Sequence, residues 1–120
     1  IEAEADCLYF QIGETKYGKP ILDRVLTSEI SLESAAKCIL LSMDSTLRSN
    51  ISVGLPLDLF IFDKNNPKSF KYKFIDEKNS FFIKLKESWS QHLKKGFSKI
   101  DSFDWNQQDL PIKNIINEKL

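Results

Sequence analysis

The stretch LPLDLFIFD, residues 55 to 63, constrains this chain more than any other part of it. Up to its closing aspartate it is apolar at nearly every position, Asp58 excepted, which is how a strand covered on both faces reads. From that aspartate on, DKNNPKS at residues 63 to 69 is a turn by composition. FKYKFI, residues 70 to 75, then alternates cleanly, with Phe70, Tyr72 and Phe74 on one side and Lys71 and Lys73 on the other. That is a half-exposed strand, and the pair predicts an antiparallel hairpin within about 55 to 76.

The flanking segments supply helices and one further strand. CLYFQI, residues 7 to 12, is β-branched and aromatic enough to predict a strand that stops at Gly13. Gly18 precedes Pro20, which suits a first helical turn because its absent N–H has no partner there; Ile21, Leu22 and Val25 form the inner face of a short helix near 18–26. Ser31 is the expected N-cap of a long helix over 31–49, with Glu33 in its first turn. Leu32, Ala35, Ala36, Ile39, Leu40, Met43 and Leu47 recur at three- and four-residue steps along it. Ser80 is read as the cap of a last helix over 80–98, whose stripe runs from Phe81, Phe82 and Leu85 through Trp89, His92 and Leu93 to Phe97 and Ile100. Gly96 inside that helix calls for a packing reason or an early end.

Composition narrows the function classes. Seventeen basic residues balance seventeen acidic ones, so no global field steers nucleic acid or an anionic membrane. No apolar run approaches the ~20 residues that span a bilayer, and the acidic opening IEAEAD is unlike a presequence. Cys7 and Cys38 lie in apolar runs without metal-like spacing; the favoured reading is two buried, reduced thiols in a cytoplasmic protein. The single histidine, His92, makes no zinc site, and its helical stripe favours packing or a solvated flank. Neither a cofactor nor a metal is expected.

The order strand, helix, helix, strand, strand, helix is an odd inventory for a self-contained domain. One strand is separated from the hairpin by two helices, and the hairpin's first strand wants neighbours. That order, with three local signatures, resembles the second half of a proteasome-type β subunit, and within that superfamily the Anbu family of bacterial proteasome-related peptidases. The carrying residues are FQIGETKYGKPILDR at 10 to 24, AAKCILLSMDSTLRSNISVGLPLDL at 35 to 59, and FDW at 103 to 105.

The resemblance implies an α+β fold, the second half of an αββα sandwich of the N-terminal-nucleophile hydrolases. Residues 1–105 would be the C-terminal half of that domain and 106–120 a tail. It implies a cytoplasmic, threonine-type peptidase acting on peptides or unfolded protein and assembled from copies of itself in a ring or open helical turn. In such enzymes the chain's own N-terminal threonine attacks the peptide carbonyl and its free α-amine helps move the proton. That chemistry belongs to the first half of the fold, and the chain, read from Ile1, is expected to supply no nucleophile of its own.

What this half contributes is support. In RSNISVG, residues 48 to 54, Arg48, Ser52 and Gly54 match the family's supporting motif, which sets an aspartate and a serine three residues apart beside the nucleophile's amine. Ser49 occupies the aspartate's position. A hydroxyl does not offset the amine's positive charge as a carboxylate does, so the proton network differs or draws on Asp44. Thr15, in a glycine loop one residue shorter than the usual form, falls near the serine that family members place beside the amine.

Plainer readings stand beside these. A serine after a helix is more often a cap or turn residue, and Asp58 fits a hydrogen-bonded structural role. The alternative to part of a peptidase is a non-catalytic fragment or oligomerisation module with no activity of its own.

Overall fold

The structure is a computed structural model and describes residues 2–107. The expected tail from 106 onward, including the apolar patch Leu110 to Ile116, lies outside the described residues beyond 107. In chain order the elements are α1 (Lys19–Val25), α2 (Leu32–Ser49), β1 (Leu57–Phe62), β2 (Phe70–Ile75) and α3 (Ser80–Ser98). The fold is mixed α+β.

β1 and β2 form the expected antiparallel hairpin, in a register that pairs Leu57 with Ile75, Phe60 with Tyr72 and Phe62 with Phe70. The turn between them is held by Asp63, whose Oδ1 accepts from Asn65 N at 2.9 Å and whose carbonyl accepts from Asn66 N at 3.0 Å. The expected strand over 7–12 does not form. Only one bridge, Glu4 to Cys7, appears there, and residues 8–12 are irregular. A strand exists only as one side of a ladder, and among the described residues the hairpin strands pair with each other alone.

α2 is the central helix. Ser31 Oγ caps it as expected, accepting from Ser34 N at 3.2 Å. On one side Leu40 meets Ile75 and Phe82 in the core cluster, with Leu47, Leu57, Leu59 and Leu85 packed around it. α3 is capped by Asn79 rather than Ser80: Asn79 Oδ1 accepts from Phe82 N at 2.9 Å. Either residue type serves as a cap, and the backbone of Asn79 is the one left extended at the helix entrance. Gly96 does not end α3, and a Cβ there would meet nothing within 4 Å.

The side of α2 facing α1 was not legible as an apolar stripe. Cys38, Ser42 and Thr46 are buried there, while Leu32 and Ile39 of the expected stripe are exposed. Ser42 Oγ donates to the Gly18 carbonyl at 2.9 Å, and Thr46 Oγ1 donates to the Ser42 carbonyl at 3.0 Å, so each buried hydroxyl is satisfied. Gly18 is what lets the two segments touch. A Cβ at residue 18 would collide with Ser42 Oγ and lie 3.0 Å from both the Ser42 carbonyl and Thr46 Oγ1. Gly18→Ala is expected to destabilise the fold by about 1–3 kcal/mol through overpacking, read as a lower urea midpoint; an unchanged midpoint would show that α1 shifts freely.

The cysteines divide. Cys38 is buried, which pushes its thiol pKa up, but Cys7 is exposed, contrary to the expectation that both are buried. Both are free.

Coverage of the hairpin differs from expectation too. Leu57, Leu59 and Ile61 are half-buried on the α2 side, and the exposed Lys71 and Lys73 of β2 share that face; Lys71 Nζ stands 3.5 Å from Glu33 Oε1. The opposite face bears Asp58, Phe60 and Phe62 beside Phe70, Tyr72 and Phe74, all exposed. The aromatic side of β2 is open because, among the described residues, one helical layer lies against the hairpin, on its other face. Its rings stack on each other instead, Phe60 on Tyr72 at 4.7 Å and Phe62 on Phe70 at 5.7 Å between centroids.

Candidate functional site

The C-terminal end of α2 and the turn that follows it hold the residues singled out by RSNISVG. Asn50 ends the helix with an extended backbone, its N–H donating to the Thr46 carbonyl at 2.8 Å. Val53 N in turn donates to the Asn50 carbonyl at 3.2 Å, so the backbone of Asn50 is pinned on both sides. Its side chain reaches forward. Asn50 Oδ1 accepts from Ser52 N at 3.0 Å and from Ser52 Oγ at 2.7 Å. Ser52 is exposed, and its hydroxyl is committed to Asn50.

Ser49 is the last residue of α2 and is exposed. Thr15 is exposed in the loop before α1, its carbonyl accepting from Lys19 N at 3.4 Å. No hydrogen bond joins Ser49, Ser52 and Thr15 to one another among the described residues. Asp44, the carboxylate that could answer for Ser49, is buried in α2, with Arg48 Nε 3.3 Å from its carboxylate oxygens. A cleft between the turn at Val53 to Leu55 and Lys86 of α3 is lined by this Asp44–Arg48 pair. Gly13, at the head of the Thr15 loop, has φ +92°, a conformation that strains any residue with a Cβ.

A second polar cluster ties the irregular 8–12 segment to α1. Tyr9 O–H donates to Asp23 Oδ1 at 2.5 Å, and Lys19 Nζ donates to Tyr9 Oη at 3.0 Å and to Asp23 at 3.2 Å. The bond to Asp23 raises the Tyr9 hydroxyl pKa, and the same bond lowers that of the Asp23 carboxyl. Lys19 is raised, first by Tyr9 and then by Asp23. On the hairpin, Asp58 takes the structural role expected of it: Tyr72 O–H donates to Asp58 Oδ1 at 2.7 Å, which raises the tyrosine's pKa. His92 is exposed on α3 with Nδ1 2.7 Å from the Ser88 carbonyl. Among the described residues no cluster of three His, Cys, Asp or Glu side chains could hold a metal ion. Nor is any helix there long and apolar enough to cross a membrane.

The residue the sequence reading passed over is Asn50. Its signal lay in the motif itself, an amide two positions before Ser52 and directly after Ser49, but asparagine after a helix reads as an ordinary cap.

The chain as a whole is similar to solved structures. The Anbu (Gly-1) mutant from Hyphomicrobium sp. strain MC1 is 51% identical with a TM-score of 0.81, over 87% of this chain and 44% of that one. Over that span the chain belongs to the Anbu family. Anbu (ancestral beta-subunit) from Yersinia bercovieri is 46% identical with a TM-score of 0.81, over 87% and 47% of the two chains. The helical assembly of the Anbu complex from Pseudomonas aeruginosa gives 39% identity and a TM-score of 0.82, over 90% and 45%. No protein-family model and no curated protein matches the chain. The chain spans less than half the length of these Anbu chains, so the described elements correspond to part of an Anbu subunit.

Proposed function

We propose that residues 1–105 form the C-terminal part of a proteasome-like, N-terminal-nucleophile peptidase domain of the Anbu type, and contribute supporting residues and assembly surfaces to peptide-bond hydrolysis. The open aromatic face of the hairpin carries this reading. In an αββα sandwich that face is the inner one, and a second sheet packs on it about 10 Å away. The CLYFQI segment supports the same view: Ile12 is fully exposed, and Gln11 Oε1 is buried without a hydrogen-bond partner. Both features suit a strand whose ladder is provided by the rest of the domain.

The remainder of the domain supplies a threonine whose hydroxyl attacks the peptide carbonyl while its α-amine helps to move the proton. Ser52, Ser49 and Thr15 stand near that amine as supporting groups. Assembly is with other copies, as a cytoplasmic homo-oligomeric ring or open helical turn. The exposed end of α3, with Leu93 and Phe97, and Ile100 just beyond it form an apolar surface suited to such contacts.

The test compares the whole polypeptide carrying this segment with the 120-residue chain. Turnover of a fluorogenic peptide is expected only from the whole polypeptide, and replacing its N-terminal threonine by alanine should abolish it. A whole polypeptide that assembles but hydrolyses nothing would instead identify an oligomerisation module.

A further inference from the structure

The direction of one hydroxyl proton at the end of α2 is fixed by geometry alone. The Ser52 backbone N–H is only a donor, so the Asn50 side-chain atom 3.0 Å from it must be the oxygen, an acceptor. The same oxygen lies 2.7 Å from Ser52 Oγ, and two acceptors do not bond, so the hydroxyl must donate to it. With its proton spent on Asn50, Ser52 Oγ has only lone pairs left for an outside group. Such an oxygen receives an N–H but gives none.

We infer that Asn50 is the positioning residue of the site: it turns the Ser52 hydroxyl into an acceptor aimed at a cationic amine, and so takes over the role of the carboxylate that Ser49 replaces. This rests on the reading of Ser52 as a supporting group for the nucleophile's α-amine. The anchoring suits the task. Asn50 is half-buried, and its backbone N–H and carbonyl are both taken, by Thr46 and Val53, so its amide has little freedom to swing away. Ser49, although it stands at the motif's aspartate position, makes no side-chain hydrogen bond among the described residues. Asp44 is occupied by Arg48. An amide differs from a carboxylate in one respect that matters: it orients the serine without adding negative charge, and leaves the amine easier to deprotonate.

The consequence appears in the acidic limb of kcat/KM, which reports loss of the proton from the amine. Asn50→Ala frees the hydroxyl to donate to the amine's lone pair, which favours the neutral amine and moves the limb to lower pH. Asn50→Asp keeps the acceptor and adds a negative charge, which favours the ammonium and moves the limb to higher pH, by about half a unit or more. Asn50→Ala should also lower the pH-independent rate roughly tenfold, about the size of one hydrogen bond to a charged group, whereas Asn50→Asp, which keeps the acceptor, should leave that rate nearly unchanged. The measurement uses the whole polypeptide and a fluorogenic peptide, with Ser52→Ala alongside. Opposite shifts for the two Asn50 variants establish the assignment. If Asn50→Ala fails to fold, the upward shift of Asn50→Asp decides alone. Shifts of one sign, or none, while Ser52→Ala slows turnover would overturn the role of Asn50 and leave Ser52 in place. An unchanged rate and profile for Ser52→Ala would remove the underlying reading as well.

Discussion

The 120-residue chain purified by itself is expected to sediment as a species heavier than its 13.9 kDa monomer. The cause is the face bearing Phe60, Phe62, Phe70, Tyr72 and Phe74, of which Phe62 is 61% exposed and even Tyr72 45%. Five half-exposed aromatic side chains leave roughly 500 Å² of contiguous apolar surface, at the upper end of what soluble monomers carry. Covering it is worth on the order of 10 kcal/mol before the entropy of association is subtracted. The shape of the chain agrees: its radius of gyration is 20.5 Å, against roughly 14 Å for a compact domain of this length.

Charge placed on this face should act in opposite directions in two settings. In the 120-residue chain, Phe60→Lys with Phe74→Lys removes the adhesive surface without emptying a core, and should shift sedimentation toward the monomer. In the whole polypeptide, if the proposed second sheet packs on this face, the same pair would put two ammonium groups between sheets and should prevent folding, each losing about 3–5 kcal/mol or more. Sedimentation of the short chain and soluble yield of the whole one read the two arms. A short chain that is monomeric with its aromatic face intact, or a whole protein indifferent to both lysines, would show that no sheet lies against the hairpin.

Phe82→Ala is expected to have the largest effect of any single substitution within the chain. Phe82 is 1% exposed and joins α3 to Leu40 of α2 and Ile75 of β2, the only place where all three elements meet in the described core. Removing a buried phenyl costs about 3–5 kcal/mol, a large share of the 5–15 kcal/mol that holds an ordinary domain together. Loss of cooperative unfolding and of protected amides in α3 would register it. The neighbouring Phe81 is the control. It is 57% exposed, so Phe81→Ala should change stability by less than about 1 kcal/mol in this chain. Equal effects at the two positions would mean that α3 is rotated relative to the hairpin.

What the residues settled by themselves was local. The period-two alternation of FKYKFI, the polar turn at 63–69 and the three-and-four spacing after Ser31 are short-range patterns, and the hairpin and α2 appear within a residue or two of where those patterns put them. The family was legible for a different reason, since RSNISVG and the segments around it keep residue types in order over much of the chain. Relations between segments were decided elsewhere. CLYFQI has the composition of a strand, yet a ladder needs a second backbone, and the described residues bring none to it. Alternation in β2 fixed which side chains share a face but not which face meets α2; the packing of Leu40 against Ile75 and Phe82 put the lysines there and left the rings outside. Ser42 and Thr46, outside the apolar stripe of α2, are buried because Gly18 lets its own carbonyl come close enough to accept the Ser42 hydroxyl, while Thr46 donates to the Ser42 carbonyl. The same holds at the candidate site. Sequence named Ser52, but only the turn after α2 brought the Asn50 oxygen within 2.7 Å of it, and a hydroxyl's direction is set by its nearest acceptor rather than by its neighbours in sequence.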